Sequence, residues 1–477
     1  MSKSPIPATD TPIGYATGEN PLYQREGHLS LEDVHSSIPV PDANAGFFKQ
    51  LRAFAGPAIL VSVGYMDPGN WGTDLAGGAQ FKYGLLWVVA MASIMAIFLQ
   101  IISARLGVVT GRDLAQGCRD YYPKWTRWPQ WIMCELAIAA CDLAEVLGSA
   151  VALNLMFHIP IFWCVIITAF DVMLLLALQR FGMRTIEAVI LLLVATITVC
   201  YGIEIFVLPQ TRPDFPEMGR ALLTPGFRET GMAVVAIGII GATVMPHNLY
   251  LHSALVQTRN IDRSDAGIKR ALKFNTIDSV AALSIAFLVN ASIMILAAIT
   301  FYGKDSITVK GVTHTFEKDS DWIQLAYLTL TPLLGKAAGS LLFGIALLAS
   351  GQSSTITGTM AGQVVMEGFM HWRLKPWIRR LITRSVAIIP AILIIGMRGA
   401  GHVNDLLIIS QVVLAMQLPF AMFPLLHFTS SKKIMGKWRL PLFLMIGGWL
   451  SAIIIAAMDF YGLPESAKEA WRVIIGH

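Results

Sequence analysis

Two short runs of this sequence place helix-breaking residues beside side chains that can bind a cation. In GYMDPGNWGTDLAGG, residues 64–78, Asp67 and Asn70 flank Pro68 and Gly69. In IGIIGATVMPHNLYLH, residues 237–252, Met245, His247 and Asn248 surround Pro246. Proline removes a backbone donor and clashes with the preceding turn, so carbonyls near it are freed. Beside Asp67 these would come from Gly64 or Met66, and beside Met245 from Ala242. A carboxylate, an amide oxygen, main-chain carbonyls and a thioether are then available to one ion. Oxygen ligands alone suit Mg²⁺ or Ca²⁺, whereas a soft sulfur moves the preference toward transition metals. Methionine more often fills space than binds metal. The facing Asp67 is what gives Met245 a ligand's role.

A third run, WIMCELAIAACDLAEVLGSA, carries Glu135, Asp142 and Glu145. Separations of seven and three put the three acids on one helical face. Acids buried together in a membrane helix read as a path for ions or protons. His247 has two readings: a proton relay, since histidine titrates near neutrality, or a hydrogen-bonded residue that fills the break. Arg379 and Arg380 open a later apolar stretch and are read as juxtamembrane positive charges. Asp171, Glu187, Glu204 and Asp278 are isolated and are read as structural hydrogen-bonding groups or span ends.

The elements that position these groups must lie in a bilayer. Of 477 residues only 14% are charged and 55% are apolar. A soluble domain carries roughly 25% charge. This balance excludes a soluble enzyme, a disordered chain and a nucleic-acid binder. Eleven apolar stretches are long enough to cross, given the ~20 residues a span needs. They lie near 53–80, 84–108, 128–156, 160–179, 184–208, 231–258, 270–301, 338–360, 381–397, 404–427 and 439–460, with a surface helix at 321–334. The first 45 residues are polar, without the apolar core of a signal peptide, and are expected to be a disordered tail. Five cysteines without a CxxC pair argue against a disulfide framework or a zinc cluster.

Most of the 36 Lys and Arg fall in the tail and in alternate loops, which places the N-terminus in the cytoplasm and the C-terminus outside. The net charge of +5 reflects this topology rather than a polyanionic partner. The first and sixth spans both contain a break, and five spans separate the starts of the two halves. The halves therefore face opposite ways. Interrupted helices at matching positions of inverted halves point to a transporter's central site.

DPGN at Asp67 to Asn70, DLAEVLG at Asp142 to Gly148 and GATVMPHNLYLHSAL at Gly241 to Leu255 resemble the NRAMP divalent-metal transporters over roughly residues 45–460. The resemblance implies an all-α polytopic protein of the LeuT type: inverted five-helix repeats with broken first and sixth helices, eleven transmembrane helices in all. The repeats would cover about 46–210 and 228–428, with an extra helix at about 439–460 and an external tail at 461–477. It also implies symport of Mn²⁺ or Fe²⁺, and Cd²⁺, with protons, the metal being substrate rather than resident cofactor. By motif, Asp67, Asn70, Met245 and the carbonyls of Gly64 and Ala242 would bind the metal. Gln411 would join them, with Gln417 the alternative amide. Glu135, Asp142, Glu145, His247, Arg379 and Arg380 would carry protons. A monomer in a bacterial plasma membrane is expected. A sodium-coupled amino-acid transporter of the same architecture fits less well, because Asp67 would repel a substrate carboxylate. A channel would need a ring of ligands, and a membrane enzyme would need a nucleophile or cofactor motif that the sequence lacks.

Overall fold

The computed structural model describes residues 30–475 except 43, 171–182, 203–212, 230, 305, 310–311, 316–321, 335–337, 373 and 399–402. The expectations for Asp171, Glu204 and residues 1–29 lie outside the described residues. Helices α1 (Phe47–Phe54), α2 (Pro57–Ser62), α3 (Pro68–Phe81) and α4 (Leu86–Thr110) open the chain. They are followed by α5 (Leu114–Tyr121), α6 (Arg127–Phe157), α7 (Ile161–Thr168), α8 (Met183–Gly202) and α9 (Phe215–Leu223). The second half begins with α10 (Met232–Thr243), α11 (Pro246–Leu255) and α12 (Asp265–Phe301). It continues with α13 (Trp322–Leu334), α14 (Ala338–Met370), α15 (Pro376–Arg398), α16 (Val403–Ser430), α17 (Lys432–Met435) and α18 (Leu442–Ile475). Among the described residues, six helical segments are individually long and apolar enough to cross a membrane. The broken first span is reached in two pieces.

Both expected breaks are present, and both are built the same way. Pro68 and Pro246 are the first residues of α3 and α11. Proline suits that position because the N–H it lacks has no helical partner there. It also pushes the preceding residue out of the helical region. Accordingly Asp67 (φ −69°, ψ 168°) and Met245 (φ −72°, ψ 123°) are extended. Asp67 then caps α3, its side chain accepting from the Asn70 amide at 2.8 Å.

Two ends differ from expectation. Helix α18 runs on through 461–475 instead of ending in a tail; the residues there, ESAKEAWRV, are mostly good helix formers. Residues 30–42, assigned above to the disordered tail, pack on the body. Within them β1 (Ile38–Pro39) pairs in parallel with β2 (Arg259–Asn260). A second pair, β3 (Ser306–Val309) and β4 (Val312–Thr315), forms an antiparallel hairpin before α13.

Glu187 and Asp278 hold helix ends, as read from the sequence. Asp278 accepts from the main-chain N–H groups of Gly56 (3.2 Å) and Ala58 (2.9 Å) at the start of α2. Glu187 pairs with buried Arg259 at 2.7 Å and with Arg184 at 2.9 Å. Both arginines also donate to carbonyls of the α1–α2 junction.

Candidate functional site

The two breaks meet. The Asn70 side-chain nitrogen donates to Asp67 Oδ1 at 2.8 Å, to the Ala242 carbonyl at 3.1 Å and to the Gly64 carbonyl at 3.3 Å. One N–H-bearing atom thus sits among a carboxylate oxygen and a carbonyl from each broken helix. The other candidate carbonyl, Met66, is taken by the Trp71 indole at 3.3 Å and the Ser350 hydroxyl. Of the two alternatives beside Asp67, Gly64 is the one that faces the breaks. Met245 sulfur lies 3.5 Å from Asn248 Nδ2. A β-carbon at Gly64 would come within 3.2 Å of that sulfur and collide with the Asn248 amide. A β-carbon at Gly69 would likewise collide with the Gln411 amide. Gln411 is thereby placed at the first break. Gln417, six residues on, stands about 240° round the helix and ~9 Å along it.

These groups are dry. Asp67 and Gln411 are fully buried, as are Met245 and Asn248. Asp67 Oδ2, Gln411 Oε1 and Asn248 Oδ1 have no hydrogen-bond partner among the described residues. A buried oxygen without a donor is costly, and a cation would satisfy several at once. Among the described residues no three His, Cys, Asp or Glu side chains gather as a metal cluster. Asp67 is the one acid in this ligand set.

Asn290 on α12, which the sequence reading missed, donates to the Tyr65 carbonyl at 2.8 Å and to Asn70 Oδ1 at 3.1 Å. It holds the Asn70 amide in its present orientation, oxygen toward Asn290. Nothing in its local sequence, an apolar run, distinguishes it from a structural asparagine.

The acids of α6 lead away from the breaks. Cys141 and Ala137 of α6 share one buried apolar cluster with Met245 and Leu414. Glu145 is fully buried and accepts from the Ser354 hydroxyl at 2.9 Å and the Thr355 hydroxyl at 3.0 Å. Arg384 approaches it at 3.7 Å, with both side chains buried. Arg384 also reaches toward the Asp142 carbonyl (3.5 Å) and donates to the Thr168 carbonyl at 3.3 Å. Asp142 is fully buried and lies within electrostatic reach of His247, whose Nδ1 has no described partner. At the far end Arg379 donates to both oxygens of Glu135 at 2.8 Å. The side chain of Arg380 lies outside the described residues. Arg384 therefore joins the α6 acids where the sequence showed only one more positive charge near a span end.

Comparison with known proteins bears on this arrangement. The model of the family "Natural resistance-associated macrophage protein-like" (Nramp) matches residues 58–464. The chain belongs to the Nramp family. It is 50% identical over 448 residues to a protein from Nostoc sp. named divalent metal cation transporter MntH, covering 92% of this chain and 97% of that one. A protein of the same name from Listeria monocytogenes is 49% identical over 434 residues, covering 91% and 94%. The crystal structure of the Eremococcus coleocola manganese transporter superposes with a TM-score of 0.81 at 39% identity, covering 92% and 91% of the two chains. MHP1, a nucleobase-cation-symport-1 family transporter, superposes at 0.54 with 14% identity, a likeness of fold alone. This Nramp chain is thus a mostly helical, multi-pass membrane protein that shares its fold with a solved manganese transporter, and its named relatives are transporters rather than enzymes.

Proposed function

We propose that this Nramp protein imports divalent transition-metal ions, Mn²⁺ and Fe²⁺ and also Cd²⁺, in symport with protons by alternating access. One observation carries the reading. Asp67, Gly64 and Ala242 turn oxygens from two broken helices toward a single point, occupied by the Asn70 amide nitrogen, and Met245 stands beside it. A hydrogen-bond donor held by three oxygens stands in for a cation. In the loaded site Asn70 would turn its oxygen to the metal, and Gln411 would add a second amide oxygen. Protons would leave along Glu145, Asp142, His247 and Glu135, with Arg379, Arg380 and Arg384 as the positive partners. The metal is substrate, and no resident cofactor is invoked. The bias of Lys and Arg supports a cytoplasmic N-terminus and external C-terminus in a bacterial plasma membrane. The protein would work as a monomer. The relatives' names and the family match support metal as cargo.

The test is uptake by purified protein in liposomes with a pH dye inside. Mn²⁺ added outside should enter and acidify the lumen. Uptake without acidification would remove the proton coupling, and no uptake would remove the metal assignment. Sulfur binds Mn²⁺, Fe²⁺ or Cd²⁺ better than Ca²⁺ or Mg²⁺. Met245→Ala is therefore expected to keep Mn²⁺ uptake, lose Cd²⁺ affinity and let Ca²⁺ or Mg²⁺ compete. Unchanged competition would make the sulfur mere packing. Gly69→Ala should push the Gln411 amide away while the fold survives, because the far end of a side chain can move. Mn²⁺ binding by calorimetry should weaken about tenfold, the weight of one charge-assisted contact. Wild-type affinity would take Gln411 out of the site.

A further inference from the structure

We infer that residues 30–42 form a strap that latches the cytoplasmic mouth closed and must be released for the metal to leave. The inference rests on the alternating-access reading above. The strap lies N-terminal to the matched family region, which begins at residue 58.

The strap is fastened at three places on different elements. Leu31 N–H donates to Glu367 at 2.9 Å, near the end of α14, and Gln363 holds the other Glu367 oxygen at 2.9 Å. Ser36 N–H donates to the Gln257 carbonyl at 2.9 Å, and Ile38 and Pro39 pair with Arg259 and Asn260 just after α11. The Asp42 carbonyl accepts from Gln50 of α1 at 2.6 Å. Leu31 and Ile38 are buried, and Ser30 stands beside Asp113 at the start of α5. Leu31 and Ser36 are both held at φ 53°, a left-handed conformation that a free tail would abandon.

What it crosses gives it a role. The seam between α11 and α14 is closed beneath it by Tyr250 against Phe369, ring centroids 5.9 Å apart. The inner half-helix α2 begins, and α11 ends, on this side. Arg259 joins them: its main chain pairs with Ile38, and its side chain donates to the carbonyls of Ala53 and Ala55 ahead of α2. On that reading, opening toward the cytoplasm parts α11 and α2 from α14, since Asp67 and Met245 stand at the breaks where these half-helices meet the site, and the Met66 carbonyl beside Asp67 accepts from Ser350 of α14. A strap tied to Glu367 at one end and to Gln257–Asn260 at the other opposes that movement. Its loss should favour the open mouth.

Cys141 reports on the mouth, because it is buried in the same cluster as Met245. The experiment uses the full chain with Cys141 as its one cysteine, in inside-out vesicles, reacted with a membrane-impermeant thiol reagent. Ile38→Asp and Leu31→Asp each unseat a buried strap residue, and a deletion of residues 2–40 removes the strap. A companion set keeps only Cys164, buried in α7, to register general loosening. Unseating the strap should speed Cys141 labelling about tenfold, the factor one buried apolar side chain makes in an equilibrium, and leave Cys164 unchanged. No acceleration at Cys141 in the point variants and the deletion would overturn the inference. Equal acceleration at both cysteines would overturn it too, since that is loss of packing rather than release of a latch. Labelling needs no metal, so it succeeds or fails independently of the cargo; Mn²⁺ uptake by the same vesicles tests that separately.

Discussion

Asp67→Ala is expected to abolish metal uptake while the protein still folds and inserts. Asp67 is the one acid in the ligand set and is fully buried. Without it a divalent ion would meet only neutral oxygens and a sulfur in a dry site. Leaving a buried charge uncompensated costs about 3–5 kcal/mol, a loss of roughly 10²–10⁴-fold in affinity. The cost to folding is smaller. Asp67 also caps α3 through the Asn70 amide, and losing a cap costs about 1 kcal/mol. Asp67→Asn separates the two effects, because its amide oxygen can still accept at the cap while the charge is gone. Both variants should show no Mn²⁺ uptake above empty vesicles at wild-type amounts in the membrane. Near-normal uptake by either one would end the assignment of this site.

The breaks were legible in the sequence because proline, glycine and polar side chains together leave few alternatives inside an apolar span. Pro68 and Pro246 interrupt their spans as that reasoning expects, and the structure makes each the first residue of a new helix. The resemblance chose Gly64 over Met66 and added Gln411. From spacing alone Gly64 and Met66 were equivalent, and only the Trp71 and Ser350 side chains, from separate turns and helices, distinguish them. Arg384 and Asn290 were missed for a related reason. Each acts across helices, on Glu145 and on Asn70, and helical periodicity tells which face a residue occupies but not which helix lies opposite. Residues 30–42 were read as free because their composition is that of a tail. What orders them is main-chain bonding to Gln257, Arg259 and Glu367, more than two hundred residues away. Composition carries no trace of such pairing.

Arg384→Ala is expected to cost more stability than any of the ligand substitutions and to stop proton entry. Arg384 and Glu145 are both buried, 3.7 Å apart. Removing one member of such a pair strands the other charge, at about 3–5 kcal/mol. The hydroxyls of Ser354 and Thr355 would remain on Glu145, but two neutral donors do not replace a guanidinium. The carboxylate would then carry its charge at that cost or keep a proton permanently, and a relay fails in either state. The double variant Glu145→Gln/Arg384→Ala discriminates. With both members of the pair gone no charge is left unpaired, and the glutamine amide oxygen can still accept from Ser354. Thermal unfolding of the purified protein should therefore recover most of what Arg384→Ala alone loses. Mn²⁺-driven acidification should stay absent, because the titrating group is gone. Were Arg384→Ala as stable as the wild type, Arg384 would be the topology charge that its place near a span end first suggests. Were the double variant to restore acidification, the protons would bypass Glu145.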